Sequence, residues 1–143
     1  MADIFQDFPI KAPPGRVFDA VSSATGLDSW WTKESSGEAR AGAEYRLWFG
    51  PKFDWRGKVI ECVRDSAFEL EITHADADWI GTRVGFHLEE RGGTTNVRFH
   101  HTGWPSQNEH WRVSCYCWPM YLRILRRYIE HGELVPYEKR LDV

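Results

Sequence analysis

Several features are scarce in this chain, and each scarcity removes a class of function. No apolar run approaches the roughly 18 residues that a bilayer-crossing helix needs, so no membrane partner is expected. The opening Met1-Ala2-Asp3-Ile4-Phe5-Gln6-Asp7 is acidic and alternating, the reverse of the basic-then-apolar order of a secretory leader. There are 3 cysteines, an odd number that suggests free thiols, a reducing compartment and hence a cytoplasmic location. Cys115 and Cys117, two apart in a helical stretch, project about 200° from one another and cannot easily share a bond or a metal. Positive charge is not in surplus either: 18 Lys and Arg against 21 Asp and Glu leave a net charge of −3. Nothing therefore attracts a nucleic-acid backbone, and no nucleic-acid partner is expected. The chain lacks a nucleophile elbow, a phosphate loop and a metal-binding helix motif. The doublet His100-His101 lies on a strand, where neighbouring side chains face opposite ways and cannot chelate one ion. No metal and no cofactor are expected.

What is present reads as one globular unit. A length of 143 residues, 42% of them hydrophobic and 27% charged, is ordinary for a single domain spanning 1–143. The aromatic share, 15% with 8 Trp and 8 Phe, is the unusual figure. Such rings both fill cores and line pockets, and composition does not choose between the two.

The pattern along the chain is β-α-α-β-rich-α. Ile4 to Lys11 alternates as a strand, with Pro9 arguing for an edge or a bulge. Pro13-Pro14 stops it, and Val17, Phe18 and Val21 at helical spacing predict a short helix to about Ser22. Thr25 with Asp28 resembles a capping box before a second short helix, in which Leu27, Trp30 and Trp31 share one face. From Ser35 to Gly103 the alternation is almost wholly of period two. Turns at Gly50-Pro51-Lys52, Arg64-Asp65-Ser66, Asp76-Ala77-Asp78 and Gly92-Gly93 are short enough to force an antiparallel meander. Ser106 with Glu109 then predicts a capped helix in which Trp111, Cys115, Trp118, Leu122, Leu125 and Ile129 form a continuous apolar stripe, ended by Gly132. Pro119 should kink it.

This order resembles the START/pollen-allergen superfamily, also called SRPBCC. Within it the chain resembles the branch related to the C-terminal domain of the activator of heat-shock-protein-90 ATPase. The residues that carry the likeness are Ile10-Lys11-Ala12-Pro13 leading to Arg16-Val17-Phe18-Asp19-Ala20, then Leu27-Asp28-Ser29-Trp30-Trp31-Thr32. Gly57-Lys58-Val59-Ile60-Glu61, His101-Thr102-Gly103-Trp104, and Trp118 with Tyr121, Leu122 and Leu125 complete it. The fold class implied is α+β helix-grip: a curved antiparallel sheet of six to seven strands around a long C-terminal helix, with two short helices after strand 1. Relatives in that branch are ligand binders, polyketide cyclases or stimulators of a chaperone.

A sheet bent round a helix creates an interior, and the expected role is binding of a small hydrophobic or aromatic molecule there. The expected ligand residues are Tyr45, Leu47, Phe49, Phe68, Leu70, Phe86, Phe99 and His101 from the concave strand faces. Trp111, Ser114, Cys115, Trp118 and Leu122 face them from the helix, with Trp30 and Trp31 as a lid at one end. Tyr45, His101 and Ser114 would orient the guest. A binding role is favoured over an enzymatic one. If chemistry of a cyclase or dehydratase kind occurs, His101 and His74 are the candidate acid–base groups, since histidine titrates near neutrality. The alternative is protein contact: Trp48 or Trp55 exposed on the convex face would favour a homodimer or a chaperone partner. Arg123, Arg126 and Arg127, with Glu130 in reach, read as a solvated helix face.

Overall fold

The computed structural model describes residues 2–143. Seven strands form one antiparallel sheet: β1 (Ala2–Ile10), β2 (Glu34–Ser36), β3 (Glu44–Trp48), β4 (Asp54–Val63), β5 (Ala67–His74), β6 (Arg83–Arg91) and β7 (Thr94–Trp104). Their order is β1-β7-β6-β5-β4-β3-β2, so the meander runs from β2 to β7 and β1 returns to pair beside β7. Pro9 thus sits on an edge strand, where a missing N–H costs no ladder bond on the open side. Register shifts between β4 and β5 interrupt their pairing, with Thr73 of β5 the extra residue opposite Arg56/Gly57 and Ile60 of β4 the extra residue between Val59 and Glu61. Bulges of this kind bend a strand and sharpen its twist, which curves the sheet into a grip. Gly92 and Gly93 take φ of 60° and 85°, as a two-residue primed hairpin between β6 and β7 requires.

Two short helices, α1 (Pro14–Ser22) and α2 (Ala24–Trp30), fill the crossing from β1 to β2. Their backbones nearly touch: a Cβ on Gly26 would stand 2.5 Å from the Ala20 carbonyl oxygen. The cap of α2 is Ser23, whose Oγ accepts from the Gly26 N–H at 3.0 Å. It replaces the expected Thr25–Asp28 pair, because the cap lies two residues earlier and Thr25 already sits inside the helix.

The long helix α3 (Glu109–His131) runs 23 residues, about 35 Å at 1.5 Å per residue. Asn108 caps it, Oδ1 accepting from Trp111 N–H at 2.9 Å. The expected Ser106–Glu109 box does not form, since Glu109 is the first helical residue and not the third. Gly132, at φ 66°, ends the helix in the left-handed conformation. Pro119 lies within α3 and the helix continues through it. The buried face of α3 holds Ser114, Trp118, Leu122, Ile124, Leu125 and Ile129, while Trp111 and Cys115 are half-buried. A final 3-10 helix (Tyr137–Asp142) is fixed by the buried Arg140. Its guanidinium donates to the carbonyls of Val135, Thr32 and Asp28 at 3.1, 3.1 and 2.6 Å.

Candidate functional site

The interior under α3 is filled for most of its length. Trp30, Tyr45, Leu47, Phe68, Leu70, Phe86, Phe99, His101, Trp118 and Leu122 are all buried, and their rings meet one another. Phe86 lies 5.9 Å from Trp30 and 5.3 Å from Phe99, and Phe99 lies 4.6 Å from Trp118, centroid to centroid. These side chains are core. Tyr45 donates its hydroxyl to the Ser22 carbonyl at 2.6 Å, and burial pushes its pKa up to about 12.

His101 is also satisfied, and its partners fix its state. An indole N–H can only donate, so Trp118 Nε1, 3.1 Å away, makes Nδ1 of His101 an acceptor. The proton then sits on Nε2, which donates to Thr82 Oγ1 at 2.9 Å, and Thr82 passes its own proton to the Trp79 carbonyl at 2.6 Å. A second ring proton would face the indole N–H with no lone pair to offer. Burial, with smaller contributions from His100 and His110, pushes the pKa down to about 3. His101 therefore stays neutral near pH 7, with Nδ1 and Nε2 both committed, and does not cycle between protonation states. The other expected acid–base residue, His74, is exposed at the end of β5 beside Thr73. As their alternation requires, His100 points to the opposite face from His101 and contacts Glu69 at 2.5 Å.

Space opens instead at one end of the grip, beneath the first half of α3. A cleft of about 270 Å³ is bounded by Trp31, Phe49, Phe53, Trp55, Asp76, Trp79, His110, Val113, Ser114, Cys117, Tyr121 and Tyr137. Seven of these twelve are Phe, Trp or Tyr. Its elements are the end of α2, the β3–β4 turn, the start of β4, the loop before β6, one face of α3 and the C-terminal 3-10 helix. The rings form a continuous wall: Trp31 to Phe49 at 5.6 Å, Phe49 to Trp55 at 5.4 Å, Trp55 to Trp79 at 4.7 Å. Trp79 stacks on His110 at 5.8 Å and 25°. Burial pushes the pKa of Tyr121 up to about 12, with Tyr137 and Cys117 adding to the rise. Burial likewise raises that of the Cys117 thiol. Larger grooves exist, such as one of about 370 Å³ between β1 and α3, but its walls set Gln6, Asp7, Arg123 and Arg126 against Phe8, Pro9, Pro119 and Leu122 and hold a single aromatic ring.

Of the residues expected to hold a ligand, the cleft brings together Trp31, Phe49 and Ser114; the others lie in the core or, like Trp111 and Cys115, beside it. Trp55 is half-buried in the cleft wall, not exposed on the convex face, because it lies opposite the buried Leu47 on the unshifted β3–β4 ladder and so shares that residue's concave face. Trp48 is half-buried beneath Lys33 and Arg46, 5.7 and 5.9 Å from its ring. Glu130 turns to the Lys11 N–H at 2.8 Å, and Arg127 pairs at 3.8 Å with Glu133. The residues missed by sequence reasoning, chiefly Trp79, His110 and Tyr137, come from loop, helix start and C-terminal turn. A tryptophan in an otherwise polar loop was the available signal.

The cleft has one polar corner. His110 Nδ1 lies 2.9 Å from a carboxylate oxygen of Asp78, which also accepts from Asn108 Nδ2 at 3.2 Å. Asp76, Asp78 and His110 bring one donor atom each within 4.8 Å of one another. They are the residues that could hold a divalent cation, at the cost of the Asp78 hydrogen bonds.

The family described as "Activator of Hsp90 ATPase homolog 1-like protein" matches residues 11–130. No curated protein matches. Among solved structures, the solution structure of the Aha1 dimer from Colwellia psychrerythraea is similar at 26% identity and TM-score 0.84, over 93% of this chain and 99% of that one. A Bacillus halodurans protein is similar at 25% identity and TM-score 0.72, over 91% and 98%. CalU16 from Micromonospora echinospora, at 20% identity and TM-score 0.74 over 96% and 83%, shares the fold.

Proposed function

The chain belongs to the family of activator of Hsp90 ATPase homolog 1-like proteins, and from that premise we propose that it binds a small, flat, largely apolar molecule in the aromatic cleft. The observation that carries this reading is a space walled by seven aromatic rings in a fold whose interior is otherwise filled. Its volume, about 270 Å³, lies just under the range of roughly 300–1,000 Å³ common for small-molecule pockets. A guest of one or two fused rings matches it. Such a guest hides about as much surface as an aromatic side chain, roughly 150–250 Å². At about 25 cal/mol per Å² that is a gross gain of about 4–6 kcal/mol. Before ordering costs that gain corresponds to a dissociation constant between tens of micromolar and about 1 mM, so binding is no tighter than tens of micromolar.

Tryptophan fluorescence tests the proposal, since Trp31, Trp55 and Trp79 line the cleft. Titration with indole, quinoline and naphthalene derivatives should give saturable quenching that Trp79→Leu weakens at least fivefold. A flat response to every compound up to millimolar concentration would remove the reading.

A second reading, contact with another protein, is supported by apolar side chains around the same end. Tyr116, Val113 and Phe53 are 82%, 50% and 45% exposed, and Val113 and Phe53 border the cleft. The Colwellia protein is described as a dimer. Sedimentation at increasing concentration tests homodimer formation, and stimulation of a chaperone ATPase tests the other partner. Cyclase-like chemistry has less behind it, since His101 is held neutral by burial, with both ring nitrogens hydrogen-bonded, and His74 lies outside the cleft.

A further inference from the structure

We infer that the guest carries a hydroxyl on its aromatic ring, and that His110 and Ser114 receive it. The inference rests on the aromatic cleft being a ligand site and names the chemistry that site selects.

Ser114 supplies the first observation. It is only 5% exposed, borders the cleft, and makes no hydrogen bond among the described residues. Serines inside helices usually turn back to the carbonyl four residues earlier. Ser22 and Ser29 do so here, bonding Phe18 and Thr25 at 2.5 and 2.7 Å. Ser114 is the exception, in the middle of a helix and against the cleft. Its Oγ is not sealed in the core, where the unpartnered buried side-chain atoms among the described residues are the indole nitrogens of Trp79, Trp104 and Trp111; it opens on the cleft, where a donor or acceptor from outside the chain can meet it.

His110 is the second, one helical turn away on the same face of α3. Its Nδ1 is tied to the Asp78 carboxylate. An ionised carboxylate only accepts, so Nδ1 carries the proton, and neutral His110 presents Nε2 as an acceptor. That nitrogen has no partner among the described residues. Asp78 acts as a positioning residue that fixes the tautomer, while Trp79 stacked on the ring fixes its plane. In the same wall the Trp79 indole N–H is buried without an acceptor.

One group satisfies both free positions. A phenolic hydroxyl donates its proton to His110 Nε2 and accepts on its oxygen from Ser114 Oγ–H, while its ring lies among Trp79, Trp55 and Tyr121. A plain hydrocarbon leaves both unpaired. A methyl ether can accept from Ser114 but has nothing to donate to His110.

Calorimetric titration of the full chain with 2-naphthol and with 2-methoxynaphthalene tests this. The ether is the more apolar compound, so a purely hydrophobic cleft would bind it at least as tightly. Recognition of the hydroxyl instead gives 2-naphthol a preference of roughly five- to tenfold, the worth of one hydrogen bond. His110→Phe should bring that ratio toward one while leaving ether affinity within about twofold, which also reports that the cleft still folds. Ser114→Ala, which removes a single oxygen, should weaken both compounds by a similar few-fold factor, since the ether oxygen accepts from it too, and keeps the test open if His110→Phe fails to fold. Equal binding of both compounds to the wild-type protein, a preference that survives His110→Phe, or 2-naphthol affinity unchanged by Ser114→Ala overturns the inference and leaves the cleft a ligand site. Binding of neither overturns both.

Discussion

Acid should unfold this protein partly through His101, and the size of the effect follows from its surroundings. The ring is neutral when folded, with a pKa pushed from 6.5 down to about 3. In the unfolded chain it titrates at its ordinary value, so between those limits the unfolded state binds the extra proton. Stability from this source is whole above pH 6.5 and is lost as the pH falls toward 3. The complete interval is worth about 5 kcal/mol at 1.36 kcal/mol per tenfold change, and about 3 kcal/mol of it goes between pH 7 and pH 4. His101→Gln removes the titration and keeps a polar side chain beside Trp118 and Thr82. Urea unfolding followed by tryptophan fluorescence at pH 7 and pH 4, on both proteins, isolates the contribution, because the other titrating groups are common to both. The variant should be less stable at pH 7 by about 1–3 kcal/mol, yet lose about 3 kcal/mol less than wild type on acidification. Parallel pH profiles for the two proteins would refute the buried, neutral His101 ring as the source.

Two further outcomes follow from the packing. Gly26→Ala drives a methyl to 2.5 Å from the Ala20 carbonyl and 2.7 Å from that of Asp19, so a loss of about 1–3 kcal/mol is expected, read as a lowered thermal midpoint. Arg140→Ala leaves the carbonyls of Asp28, Thr32 and Val135 without their shared donor. It should cost about 2–4 kcal/mol and speed amide exchange in residues 133–143 more than in the strands, since the guanidinium is what ties that segment to α2.

The sheet and α3 were legible because their signals are local. Period-two alternation from Tyr45 to His101 marks strands that bury one face, and the spacing of Trp118, Leu122, Leu125 and Ile129 marks one side of a helix. How the interior packs is something that periodicity cannot reveal. It shows that Tyr45, Phe86 and Trp118 point inward, but whether the interior closes depends on sheet curvature, and here Tyr45 meets Phe68 while Phe99 bridges Phe86 and Trp118. Even the helix face differs: Trp111 and Cys115 fit the apolar stripe, yet His110, Val113, Ser114, Cys117 and Tyr121 are the ones that line the cleft. Trp79 and Tyr137 join them from segments 58 residues apart, a meeting fixed by Arg140 anchoring the last turn and by Thr82 anchoring the loop before β6. His101, read as a candidate for chemistry, proves to be part of that anchorage.

The most direct test of the cleft as the working site is a crystal structure determined after soaking with 2-naphthol. The account predicts ring density between Trp79 and Tyr121, with the oxygen within hydrogen-bond distance of His110 Nε2 and Ser114 Oγ. A cleft unchanged by saturating compound, or density only in the groove between β1 and α3, would contradict it.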